Sequence, residues 1–393
     1  MTRPKLGPTV IALGAVSFFT DLSSEMIYPL LPLFLTTTLG ASASFIGIIE
    51  GAAESTASLL KLASGWWSDR LRRRKPLVVA GYALASAARP LIGLAQTASQ
   101  VLALRVTDRV GKGIRTAPRD ALIAESVDPA IRGRAFGFHR SLDHAGAVAG
   151  PVVAFLLLRE MGLPLRTVFL LSGVPAAIAL ILIVFAVKER RPDAPLPSAP
   201  PASSLRRRLD RKFWIYLGAV LLFTLGNSTD AFLLLRATDL GLPVAWVPLL
   251  WAYLHVVKST TGTFGGSLSD RFGRKPLLVS GWLLYAAVYV AFAFASATWH
   301  VWALFGAYGL FFSLTEGTER ALVADMVATD DRGAAFGWFH LAVGLGALPA
   351  SVLFGVLWDR YGPATAFVTG AALALAAAAV LVVSLRFRPA RMA

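Results

Sequence analysis

The chain has 393 residues, of which 56% are hydrophobic and only 16% charged, too little polar surface to cover a water-soluble globule of this size. Its formal net charge of +15 does not point to nucleic acid, because the basic residues lie in short segments between apolar runs and build no single polar face. The absence of cysteine excludes disulfides, thiolate metal sites and thiol catalysis.

Apolar segments of about 20 residues, the length that crosses a bilayer core as a helix, occur near residues 9–35, 44–68, 77–95, 99–126, 134–158, 165–187, 213–236, 244–268, 277–296, 299–327, 334–358 and 364–385. The run behind Met1 to Lys5 continues through Leu35 without a small-residue cleavage site, so it reads as a first transmembrane helix and not a signal peptide. No ten-residue alternation of apolar and polar residues recurs, which leaves helices over a β-barrel. The expectation is an all-α, polytopic membrane protein of twelve helices, with six-helix halves at 1–187 and 213–393. The segment 188–212, with a Pro/Ala/Ser centre and the Arg206-Arg207-Arg208 run, reads as the linker between them.

With the N-terminus placed in the cytoplasm, one side receives most of the loop arginines and lysines, and the other only Arg159, Arg166, Arg236 and Arg360. The positive-inside rule then puts both termini in the cytoplasm, in an inner (plasma) membrane.

Ionisable residues at membrane depth are functional candidates by default, because each costs several kcal/mol to bury there (about 2.5–3.5 on insertion scales). Helix one carries Asp21 and Glu25, and helix two Glu50 and Glu54, each pair spaced i, i+4 on one helix face. Asp21 lies roughly 18 Å along its helix, near the bilayer middle. Desolvation disfavours a carboxylate's charged form, the property a proton-coupled carrier exploits. The competing role for these acids is permanent neutralisation of cations. Helix four supplies the cations: Arg105, Arg109, Lys112, Arg115 and Arg119 fall on one face at about 100° per residue. That stripe must meet acids such as Glu50, Glu54, Asp108 or Asp120, or an anionic substrate with Arg115 and Arg119 as ligands.

On helix five, His139 and Asp143 share a face beside His144, but one i, i+4 pair without a third ligand is a weak metal site, and no metal or other cofactor is expected. Asp230 stands midway along helix seven without a partner in its own segment. Glu316 and Arg320 on helix ten are four apart and able to pair. No H-E-x-x-H, P-loop or completed G-x-G-x-x-G is present, so an enzyme is not expected.

The chain repeats itself. Ser68-Asp69-Arg70-Leu71-Arg72-Arg73-Arg74-Lys75-Pro76 returns about 200 residues later as Ser269-Asp270-Arg271-Phe272-Gly273-Arg274-Lys275-Pro276, each between two apolar spans. Arg119-Asp120-Ala121-Leu122-Ile123-Ala124-Glu125 likewise returns as Glu319-Arg320-Ala321-Leu322-Val323-Ala324-Asp325. Two motifs in the same order and spacing mark an internal duplication of the kind that builds transporters.

These residues resemble the major facilitator superfamily over essentially the whole chain. Its loop motif, a Gly followed by Asp-Arg-x-Gly-Arg-Arg/Lys, is similar to Gly65 through Asp69 and Arg70 to Lys75, and again to Gly266, Asp270, Arg271, Gly273 and Arg274. The first copy departs from the pattern, with Arg72-Arg73-Arg74 where the Gly should fall. The resemblance implies that Asp69 and Asp270 latch the cytoplasmic face by accepting hydrogen bonds at a neighbouring helix N-terminus; solvating the loop is the alternative role. Gly146, Gly150 and Pro151 on helix five resemble the motif of the superfamily's proton-antiporting drug exporters, although small-xxx-small packing alone would also account for them. Arg109-x-Gly111-x-Gly113 is only similar to the exporters' helix-four motif. Together these features imply proton-coupled export of a small molecule by alternating access, with protons, lipid and the solute as partners and a monomer as the expected state. The alternative is carriage of an anionic metabolite.

Overall fold

The computed structural model describes residues 7–70, 74–128, 131–189, 209–327 and 332–384. Twelve long helices follow the expected spans: α1 Pro8–Thr38, α2 Ala43–Arg70, α3 Lys75–Leu94, α4 Ala98–Glu125, α5 Arg132–Arg159, α6 Leu165–Phe185, α7 Arg211–Asp239, α8 Val247–Phe272, α9 Arg274–Phe294, α10 Thr298–Asp325, α11 Arg332–Tyr361 and α12 Pro363–Ser384. Eight of them are apolar enough to cross a membrane by length and composition, and α2, α4, α8 and α10 are not. Those four carry charges on faces that turn away from lipid, toward the space between the helices.

Contacts sort the helices into two groups. Helices α1 to α6 pack among themselves, as do α7 to α12; the groups join mainly where α2 meets α11 and α5 meets α8. Most of the expected linker, residues 190–208, falls outside the described residues.

Besides a 3₁₀ last turn in α3 (Ile92–Leu94) and an interruption of α6 at Ser172, two helices are irregular at matching places in the two halves. In α1, Pro29 and Pro32 withhold donors from the ladder, and the chain passes through a 3₁₀ turn at Tyr28–Leu30 and a π turn at Phe34–Thr38. In α7 the helix stops at Gly226 and restarts at Ala231.

The Asp-Arg motif does not begin as a loop. α2 stays helical through Arg70 and α8 through Phe272, so Asp69, Arg70, Asp270 and Arg271 belong to helix ends. The side chains of Asp69, Arg70 and Asp270 lie outside the described residues, as do the surroundings of Gly65 and Gly266. Arg271 lies over the Phe272 ring. Gly273 then turns the chain at φ 91° and ψ 150°, a conformation other residues rarely adopt. The duplication survives in the contacts that follow: Arg74 pairs with Glu125 at the end of α4, and Arg274 with Asp325 (3.4 Å) at the end of α10. Lys75 and Lys275 each cap a carbonyl near the end of the last helix of their half, Val184 and Val382.

The helix-five glycines let α5 approach α1. A β-carbon at Gly146 would lie 2.4 Å from the Phe18 carbonyl oxygen, and one at Gly150 2.5 Å from that of Leu22. We expect Gly150→Val to lose about 1–3 kcal/mol of stability through overpacking, read as a lowered melting temperature of the purified protein. Gly137→Ala on the same helix, where a β-carbon would meet nothing within 4 Å, should melt like the parent.

Candidate functional site

A cavity of about 650 Å³ lies between the two groups of helices. Of the residues singled out in the sequence, Asp21, Glu25, Glu50, Glu54, Arg109, Arg115, Asp143, Asp230 and Glu316 line it. Arg119 and Arg320 do not. Arg119 donates through Nε and Nη2 to its neighbour Asp120 (3.0 and 2.8 Å), which removes it from the expected set of substrate ligands. Arg320 turns to Glu316 at 3.3 Å, the i, i+4 pair the sequence anticipated.

The first half supplies most of the charge. Arg105 donates to both carboxylate oxygens of Glu50 through Nε and Nη2 (2.8 and 3.0 Å) and to Asp108 through Nη1 (3.4 Å). Arg89, on α3, donates to Asp108 (2.8 Å) and to the Thr20 carbonyl of α1 (3.0 Å). Each of the four residues is at most 7% exposed. This closed quartet of two acids and two guanidiniums ties α1 to α4. Sequence reasoning missed Arg89; its signal was a single arginine in an otherwise apolar span.

The rest of the α4 stripe is handled differently. Arg109, Lys112 and Arg115 line the cavity, and among the described residues none has a carboxylate within ion-pair distance or a hydrogen-bond acceptor for its side chain. The Arg115 guanidinium lies 4.1 Å from the ring centroid of Tyr82.

Asp21 and Glu25 stand on α1 directly over the helix-five glycines: β-carbons at Gly146 and Gly150 would lie 3.1 Å from the β-carbons of Asp21 and Glu25 respectively. Pro151 continues α5 just beyond, inside the helix. Asp21 makes no side-chain hydrogen bond or ion pair among the described residues, and the charges that act on it most are Asp143, Glu25, Lys112 and Arg115. Glu54 faces Arg109 and Lys112 in the same way. Asp143 is held instead: Ser17 donates to it, and His139 Nδ1 and Arg140 Nη1 stand 3.6 and 3.8 Å away. Among the described residues no cluster of His, Asp and Glu has metal-binding arrangement.

The second half contributes an aromatic wall and a broken helix. Phe223, Phe311, Phe312, Tyr308 and Trp251 line the cavity, and Lys258 Nζ sits 3.6 Å from the Phe312 centroid. The break in α7 places Asn227, Ser228, Thr229 and Asp230 at the wall, where Asp230 accepts a 2.6 Å bond from Tyr308. Interrupted helices of this kind expose backbone groups at binding sites of carriers. The polar run Asn227-Ser228-Thr229-Asp230 was the available signal for the break.

Polar contacts among the described residues join the halves at several points. Trp251 Nε1 donates to Glu25 (2.8 Å), with His255 Nε2 4.0 Å from the same oxygen, and the Trp251 ring packs on Tyr28. Arg140 reaches Glu316 at 3.4 Å. On the face away from the chain termini, Asp359 of α11 caps the start of α2, accepting from the backbone N–H groups of Ala43 (3.0 Å) and Ser44 (2.8 Å) and from the Ser44 hydroxyl. A carboxylate there meets the positive end of the helix dipole. Deeper in, Ser55 donates to the Gly344 carbonyl (2.6 Å).

A twelve-helix bundle with a charged cavity between duplicated halves is a membrane carrier. The Major Facilitator Superfamily model matches residues 13–259 and 256–392, and the chain belongs to that family. It is 34% identical to a transporter of the same type from Methanocaldococcus jannaschii over 379 residues, covering 94% of this chain and 93% of that one. It is 25% identical over 379 residues to the multidrug resistance protein MdtH of Aeromonas hydrophila, covering 90% and 88%. Among solved structures it resembles a bacterial homolog of the human lysosomal transporter Spinster in an inward-facing, occupied conformation, with TM-score 0.76 and 17% identity over 97% of this chain and 98% of that one. The protein is a multi-pass membrane transporter that works by alternating access, not an enzyme.

Parting of the two halves on the face away from the chain termini would break the Asp359 cap. We expect Asp359→Ala to leave the backbone donors of Ala43 and Ser44 without their partner and to shift the population toward opening on that face. Introduced cysteine pairs, placed on either face of this cysteine-free chain, should cross-link less there and more on the face carrying the termini; unchanged cross-linking would remove Asp359 from gating.

Proposed function

We propose that the protein is a proton-coupled exporter of a small molecule, in an inner membrane with both termini in the cytoplasm, and that Asp21 carries the coupled proton. One observation bears most of this reading: Asp21 is a cavity-lining carboxylate at the middle of α1 whose side chain has no hydrogen-bond or ion-pair partner among the described residues, set against the glycine face of α5. A carboxylate without a fixed partner is free to exchange a proton, whereas Glu50 is committed to Arg105 and Asp143 to Ser17. Its charged neighbours on every side, Asp143, Glu25, Lys112 and Arg115, change their interaction with it when it is neutralised.

Export is supported by Gly146, Gly150 and Pro151, which resemble the exporter motif, and by the similarity to a multidrug resistance protein. Glu25 belongs to a different function in this scheme. Bonded to Trp251 across the interface, it reports to the second half which state Asp21 is in. The protein works as a monomer, since the cavity is complete within one chain.

Reconstituted Asp21→Asn protein should lose solute accumulation driven by a pH gradient while keeping solute exchange at equal pH. The solute for this assay is whichever compound a ligand-stabilisation screen returns. Accumulation by the variant under a proton gradient alone would place the proton site elsewhere, with Glu54 and Asp230 next. Direction is read separately. Everted vesicles should concentrate the solute when their lumen is acid, and uptake confined to right-side-out vesicles would make the protein an importer.

A further inference from the structure

Hydrogen-bond accounting divides the buried cations into two classes. Arg89 and Arg105 between them place five N–H groups on Asp108, Glu50 and the Thr20 carbonyl, so their charge is spent within the quartet. Arg115 is as deeply buried, at 4% exposure, yet its Nε and Nη1 have no acceptor, and no other nitrogen of its guanidinium has one among the described residues. The Tyr82 hydroxyl below it is also buried and unpartnered. An unpaired buried guanidinium is costly, so a site that keeps one is built for an acceptor that arrives later.

The surroundings do not supply that acceptor. The acids that act on Arg115 are Asp108, which already serves Arg89 and Arg105, and Asp21, and neither bonds it among the described residues; Arg89 and Arg119 add like charge around it. Its position is fixed by close packing: a β-carbon at Gly81 would fall 2.7 Å from the Arg115 β-carbon, so α3 presses the residue against Tyr82 and toward the cavity wall. Lys112, three residues away on the same face, adds a second cation that lines the cavity without an ion pair.

We propose that Arg115 and Lys112 form a subsite for the anionic head of an organic oxyanion, a carboxylate, sulfonate or phosphate, whose apolar body lies against Phe223, Phe311 and Phe312 on the opposite wall. The planar guanidinium matches the paired oxygens of such a head, and the aromatic wall, lying in the other half, brings both halves onto one ligand. This rests on the reading of the cavity as the transport site and names the class of solute it takes.

The test uses the purified full-length protein with 1-naphthoate and its neutral isostere 1-naphthamide, followed by melting temperature and by quenching of tryptophan fluorescence. Naphthoate should stabilise the parent and naphthamide should not. Arg115→Gln should weaken naphthoate binding about tenfold or more, the cost of a lost hydrogen bond to a charged group. Arg119→Gln, outside the cavity, should bind as the parent does. If Arg115→Gln fails to fold, Lys112→Gln decides the matter by the same two measurements. Equal stabilisation by both compounds, no stabilisation by either, or an undiminished preference for naphthoate in the folded variant overturns the proposal. Binding is read at equilibrium without a gradient. A protein that binds naphthoate through Arg115 but moves no protons therefore refutes the coupling scheme alone, and one that couples protons to neutral solutes refutes the anion subsite alone.

Discussion

A charge inside a membrane protein persists only if something answers it, and the first half of this molecule is organised around that constraint. Glu50, Arg105, Asp108 and Arg89 answer one another's charge, with the Thr20 carbonyl accepting from Arg89, so that four helices share one buried polar knot. Removing any member would strand a partner in a low-dielectric interior, a loss of about 3–5 kcal/mol in buried pairs. The knot therefore ties α1, α2, α3 and α4 to one another. What remains unanswered in the same region, Asp21 on one helix and Arg109, Lys112 and Arg115 on another, faces the cavity. Scaffold and site are made from the same residue types, and hydrogen-bond satisfaction separates them.

The interface between halves follows a different logic, in which small residues permit contact and a few polar bonds hold it. At α2 and α11, β-carbons at Gly47 and Gly51 would collide with the backbone of Ser351 and Leu348, and one at Gly355 with that of Ala43. Helices packed this closely, with little side-chain interlock, can rock against each other. The polar bonds across the interface among the described residues are few: the Asp359 cap, Ser55 to Gly344, Trp251 to Glu25, and Arg140 to Glu316. Glu25 belongs to both systems, being four residues from Asp21 and bonded across the interface.

Much of this was legible in the sequence, for reasons that also explain what was not. Helix number and the duplication follow from apolar run length and from motifs about 200 residues apart, and the structure repeats them down to the Arg74–Glu125 and Arg274–Asp325 pairs. Helical periodicity placed the α4 cations on one face. It could not say which of them would find an acid, because the acids come from other helices: Glu50 from α2 answers Arg105, while Arg119 takes its own neighbour Asp120. Arg89 and Asp359 escaped notice because the role of each depends on groups distant in the chain, the Thr20 carbonyl and Asp108 for one and the N–H groups of Ala43 and Ser44 for the other. Composition also made the Asp-Arg motif look like a loop, whereas helix continues through Arg70 and Phe272 until Gly273 forces the turn in the second copy.

The duplication further explains the two irregular helices. The 3₁₀ turn at Tyr28–Leu30 in α1 and the break at 227–230 in α7 occupy the same place in their halves, about 200 residues apart. Different chemistry produces them: prolines at 29 and 32 in the first half, a proline-free Asn-Ser-Thr-Asp run in the second. If proline were the cause, only α1 would be distorted. The shared feature is position, since Tyr28 and the 227–230 run both line the cavity. Backbone freed from a helical ladder is tolerated at membrane depth only where it lines such a space. Each half therefore places an irregular helix segment against the cavity, with the Arg89–Asp108 pair in the first half and the stack of Phe223 on Trp282 in the second beside it.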